Sequence, residues 1–154
     1  MIPKIYIDTS VIGGRLDNEF STWSKTLFDE FCSGIKIAVV SDLTLRELEE
    51  APEEIKHSLR DLPSEAIEYV FLSEEAISLA NTYISHGAVT EKHLIDAQHI
   101  AIATIEHVDV LVSWNFKHIV NLDRIRKFNA VNLLQGYHLL EIRSPMEVLY
   151  EEEN

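Results

Sequence analysis

The chain has 154 residues, with 26 Asp and Glu against 13 Lys and Arg, so its formal net charge is −13; 46% of it is hydrophobic and 25% charged. This composition excludes a disordered or fibrous chain and gives one globular domain spanning 1–154. A single cysteine, Cys32, excludes an internal disulfide framework, and no run reaches the ~18 apolar residues of a membrane helix, so a soluble, cytoplasmic protein with no membrane attachment is expected. From the start, Ile5-Tyr6-Ile7 reads as a short strand ending at Asp8-Thr9-Ser10, with Gly13-Gly14 taken as the turn that follows. Trp23, Leu27, Phe28, Phe31 and Cys32 recur at helical spacing, with Cys32 expected in the core, and Gly34 stops that helix before a second strand at 35–40. Ser41 suits the N-cap of a helix carrying Leu43, Arg46, Glu47 and Leu48, which Pro52 interrupts.

Residues 53–62 and 74–86 read as amphipathic helices with a short strand at 68–72 between them. A long helix over 91–107 shows a broad apolar face, and Val108-Asp109-Val110-Leu111-Val112-Ser113 is a buried strand ending at Trp114-Asn115. Helix over 121–135 and an edge strand at 139–143 complete the chain. Strands alternating with helices at this spacing give a three-layer α/β/α sandwich around a mainly parallel sheet.

In such sheets, ligand groups collect at the carboxyl ends of the strands. Asp8 closes the first strand, Asn115 lies just past the strand at 108–113, and Glu47 and Asp96 sit early in two neighbouring helices. Packed carboxylates repel and raise one another's pKa unless a cation neutralises them. Mg²⁺ or Mn²⁺ does this through oxygen ligands, and such a site activates water for phosphoryl displacement. On position alone Glu49 and Glu50 rival Glu47, whereas Asp96 is singled out because an unpaired charge is costly within an apolar helix face. His99 shares that face with Asp96 and is expected to be packed or hydrogen-bonded; Trp114 is expected to pack.

Four segments, Ile5-Tyr6-Ile7-Asp8-Thr9-Ser10-Val11-Ile12, Leu43-Thr44-Leu45-Arg46-Glu47-Leu48, Asp96-Ala97-Gln98-His99-Ile100-Ala101-Ile102-Ala103 and Leu111-Val112-Ser113-Trp114-Asn115-Phe116, occur in the order of the PIN-domain motifs. Across essentially its whole length the chain resembles that family. The resemblance implies a metal-dependent endoribonuclease like the VapC-type toxins, using Mg²⁺ or Mn²⁺, with RNA as substrate, an antitoxin protein as partner and a homodimeric state. By position, Asp8, Glu47 and Asp96 match the acidic metal ligands and Ser10 a hydroxyl supporting the first of them. Asn115 stands where the family more commonly has Asp; an amide oxygen still ligates a metal or its water, but one negative charge is missing. That loss opens an alternative reading, a catalytically weakened PIN fold that serves as an RNA-binding or protein-interaction module.

A phosphatase or phosphorylation-site reading of Asp8-Thr9-Ser10 fails because the second acid such sites need, close to the first, is absent. Charge is uneven along the chain: 42–75 holds eleven acids and three bases, whereas 113–127 holds Lys117, Arg124, Arg126 and Lys127 against Asp123 alone. The latter segment is where an RNA backbone is expected to lie.

Overall fold

The first strand, β1 (Lys4–Ile7), sits at the centre of the sheet and owes its place to its side chains. Ile5 and Ile7 face one side and Tyr6 the other, all three buried, so the strand needs cover on both faces. A computed structural model of the chain describes residues 1–150. Its five strands run in the order β3 (Ile67–Val70), β2 (Ile37–Ser41), β1, β4 (Val110–Val112), β5 (Ile142–Arg143), every pairing parallel. In register, Tyr6 lies beside Val39 of β2 and Leu111 of β4. The expected sandwich is present, with β5 on an edge.

Two cores fill the faces. On one side Tyr6, Val39 and Leu111 pack under α5 (Glu74–Ser85), α6 (Leu94–Ile105) and α7 (Leu122–Leu134). On the other, Ile5, Ile7, Ala38, Val40 and Val112 meet α1 (Thr9–Gly13) and α2 (Ser21–Cys32). The next helix, α3 (Asp42–Glu49), leaves the carboxyl end of β2 with Ser41 as N-cap, its hydroxyl accepting from the Thr44 amide as the sequence suggested. The chain steps outward from β1 to β2 and β3, then returns to the other side of β1 for β4. The order therefore reverses between β1 and β4, and a crevice opens at their carboxyl ends.

Several local expectations are corrected. Gly13-Gly14 is not an open turn: Asp8 caps α1 by accepting from the Val11 amide, and helical backbone continues through Leu16 in a 3₁₀ turn. Gly14 is required because a Cβ there would lie 2.5 Å from Ser24 Oγ and 2.7 Å from Trp114 Nε1. The helix expected over 53–62 breaks at His57 into α4 (Glu53–Lys56) and a 3₁₀ turn, Ser58–Asp61. The strand expected at 139–143 pairs only through Ile142 and Arg143. Cys32, the last residue of α2, is exposed and not in the core.

Candidate active site

Three elements bring the predicted carboxylates to the crevice. Asp8 leaves the end of β1, Glu47 lies in the second turn of α3, and Asp96 in the first turn of α6. Asp8 is 7% exposed, and both its oxygens are held: Ser10 Oγ donates to Oδ1 (2.5 Å), joined by the Val11 amide, and Ser113 Oγ donates to Oδ2 (2.6 Å). Ser10 in turn accepts from the Trp114 amide (2.9 Å), and Ser113 from the Asn115 amide (3.0 Å). The first acid is thus locked to the loop that leaves β4. Ser10 was legible in the sequence; Ser113 was not singled out, although it ends its strand just as Asp8 ends β1.

Asn115 Oδ1 accepts from the His118 amide (3.0 Å) in a turn of the kind Asx residues favour, and Nδ2 lies 3.5 Å from Asp96 Oδ2 as a long donor contact. His93 Nδ1 stands 3.8 Å from the same oxygen. Glu47, and neither Glu49 nor Glu50, meets the α6 helix: its Oε1 lies 2.7 Å from Nε2 of His99, which is 2% exposed. The other ring nitrogen of His99 is 2.6 Å from the Tyr6 hydroxyl. His99 is buried and hydrogen-bonded as expected, but its partners, 52 and 93 residues away in sequence, were not foreseeable.

Burial pushes the Asp8 carboxyl above its ordinary range, opposed by the His99 charge and by the Ser10, Ser113 and Val11 hydrogen bonds. Burial also raises Asp96; the charges of Asp8 and Glu47 push the same way, while His99 and His93 oppose them. Asp8 and Asp96 are thus desolvated carboxylates, and Glu47, more exposed, adds its charge to the same crevice, which is the electrostatic setting that a cation relieves. Among the described residues no three His, Cys, Asp or Glu form a closed coordinating group. The donor set fits a hydrated Mg²⁺ or Mn²⁺ held by one or two carboxylates better than an ion in a protein cage.

On the flank, His93 and His118 stack with ring centroids 3.6 Å apart. The His118 pKa is lowered by desolvation first, then by the charges of His93, Lys117, Arg124 and Lys92. Lys117 and Arg124 thus lie near His118, on the side of the site where His93 approaches Asp96, with Arg124 Nη1 donating to the Ala88 carbonyl (2.6 Å). Lys127 pairs with Asp123 (3.0 Å), and Arg126 is exposed on α7 about 200° round the helix from Arg124. Trp114 is buried against Phe20 (centroids 4.2 Å apart), as packing predicts, beside a cavity of about 350 Å³ lined by Ser10, Gly13, Gly14 and Asn115 among others.

No family model matches the sequence, and no curated protein matches it. Solved structures do. VapC20 of Mycobacterium tuberculosis, a sarcin–ricin loop cleaving toxin, is 13% identical, with a TM-score of 0.55 over 89% of this chain and 98% of its own. VapBC2 of Rickettsia felis, solved with a DNA fragment from its promoter, gives 12% and 0.58 over 92% and 98%. FitAcB of Neisseria gonorrhoeae gives 14% and 0.58 over 94% and 99%. The five-stranded parallel sheet, its two helical layers and these matches together give the chain the PIN-domain fold.

Proposed function

We propose that the protein is a Mg²⁺- or Mn²⁺-dependent endoribonuclease whose metal-binding carboxylates are Asp8, Glu47 and Asp96, with Asn115 completing the set. The observation that carries this reading is the burial of Asp8 at the carboxyl end of β1 and of Asp96 in the first turn of α6, which raises both carboxyls, with no lysine or arginine among the described residues paired to either. A bound divalent ion would supply an activated water and offset the charge that develops on the phosphate. The protein's own groups do the rest. Ser10 and Ser113 fix the Asp8 carboxylate, as ligands of metal sites are ordinarily fixed by their neighbours. Asn115 turns its amide toward Asp96, and Lys117 and Arg124 place positive charge where an RNA backbone would cross the site, while Arg126, on another face of α7, and Lys127, paired with Asp123, would meet it only farther out.

The fold is that of a sarcin–ricin loop cleaving toxin and of the VapBC2 and FitAcB structures, which supports a toxin-type nuclease with an antitoxin protein as partner; RNA as substrate and a homodimeric state are part of the same proposal. Purified protein with Mn²⁺ is expected to cut single-stranded RNA internally and to stop when the metal is chelated. Asp8→Asn is expected to abolish cleavage; cleavage that survives this substitution overturns the reading. One observation favours the alternative of a weakened module: the Asn115 amide stands 3.5 Å from Asp96, where a carboxylate would add negative charge. That alternative predicts RNA binding without products at saturating Mn²⁺.

A further inference from the structure

We propose that His99 is a positioning residue, one that ties the Glu47 carboxylate to the core of the sheet through a continuous hydrogen-bonded chain, Ser41, Tyr6, His99, Glu47. This rests on the reading of Glu47 as a metal ligand. Glu47 is the loosest of the three acids: its side chain is 41% exposed, and among the described residues its one hydrogen bond is to His99 Nε2 at 2.7 Å. A glutamate held by nothing else would sample several rotamers at a cost too small to keep it over the crevice.

His99 itself cannot move freely. Its ring is buried, its edge meets the Tyr6 ring (centroids 5.7 Å apart, planes at 68°), and its Nδ1 is 2.6 Å from Tyr6 Oη. Tyr6 Oη is also 2.7 Å from Ser41 Oγ, and Ser41 Oγ accepts from the Thr44 amide. Burial raises the Tyr6 phenol, so it keeps its proton. A carboxylate only accepts, so the ring nitrogen facing Glu47 carries hydrogen whether the imidazole is neutral or charged. In the neutral ring Nδ1 is the acceptor, and the donors run in one direction: Ser41 hydroxyl to Tyr6, Tyr6 to Nδ1, Nε2–H to Glu47. Ser41 also starts the helix on which Glu47 rides. One tyrosine in the central strand therefore sets both the origin of α3 and the orientation of its carboxylate.

The test uses the full chain and two readouts that need no RNA. First, Mn²⁺ affinity is measured by electron paramagnetic resonance for the parent, His99→Leu, His99→Gln and Tyr6→Phe, each in the Glu47 and Glu47→Gln backgrounds, with unfolding midpoints in chelator as the control for folding. We expect His99→Leu to weaken binding about 10- to 100-fold, His99→Gln, which keeps an N–H donor, to recover most of it, and neither to matter once Glu47 is Gln. Parent-like affinity in His99→Leu, or an equal loss in both backgrounds, overturns the proposal. Tyr6→Phe keeps the ring, so a few-fold loss is expected even where His99→Leu does not fold; none overturns it. Second, ¹⁵N-histidine spectra of the metal-free protein are expected to show a His99 Nε2–H signal that Glu47→Gln shifts. Absence of that shift overturns the tether. Its presence in a protein that binds no Mn²⁺ would overturn the proposed function and leave the tether standing.

Discussion

Asp8 is a charge that the folded chain tolerates only with help. Burial raises its carboxyl above the unfolded value of 3.8, so the folded state binds the proton more tightly than the unfolded state does. Stability from this group is therefore fully present below pH 3.8 and is lost as pH rises through the raised folded-state pKa. Asp96 behaves in the same way. Urea unfolding in chelator should show the parent losing stability across that window and Asp8→Asn losing less, so that the inactive variant is the more stable one near neutral pH; matching slopes would refute this. Asn115→Asp sharpens the same argument. Its new carboxylate would face Asp96 across the gap that the Asn115 amide now spans at 3.5 Å, so the metal-free unfolding midpoint should fall while Mn²⁺ affinity rises. Titration that finds the variant binding Mn²⁺ no more tightly than the parent removes the case for a missing charge at 115. Asp8 and Asp96 were legible in the sequence because each is an acid set against apolar neighbours. Glu47 was not separable from Glu49 and Glu50 by composition, because what distinguishes it is a bond to His99, 52 residues distant. Tyr6 and Ser41 look like ordinary strand and cap residues until the sheet brings them together.

Helices and strands followed their hydrophobic periods wherever one face was buried along the whole element. The α2, α5 and α7 helices came out within about two residues of expectation. Ends were set by partners that no local pattern records. β4 is shorter than its apolar run because only Val110 to Val112 find β1 opposite, and Cys32 leaves the core because it lies one residue, about 100° of helix, beyond the buried Phe31. Gly14 shows the converse, a residue whose role lies in what approaches it. Gly14→Ala should destabilise by about 1–3 kcal/mol through its clash with Ser24 and Trp114, measured by chemical denaturation; a neutral result would mean that the β4 exit loop yields easily. The Lys36 ammonium, buried before β2, contacts both oxygens of Glu30 on α2 (2.8 and 3.1 Å), and Glu30 also accepts from the Tyr150 amide. Lys36→Met would leave Glu30 buried and unpaired, and a loss of about 3–5 kcal/mol is expected in the same measurement.

Over the whole molecule, the surplus of acids divides by place. Eleven lie in 42–75, mostly in solvent, while Asp8 and Asp96 are drawn inward and Lys117 and Arg124 gather about His118 on the flank. Binding of Mn²⁺ to the folded state alone should raise the unfolding midpoint, and chelation should return it; Asp8→Asn should show little of this shift, which scanning calorimetry can read. The order of the sheet has a consequence for how such a site can be controlled. Asp8 extends directly from β1, which is paired on both sides and covered on both faces. Its amide hydrogens should be among the last to exchange with solvent, opening only when the whole chain unfolds. A regulator would then find no loose hinge to pull on beneath the carboxylates. It would have to work as a cap over a rigid floor, leaving the architecture below unchanged whether the cap is on or off.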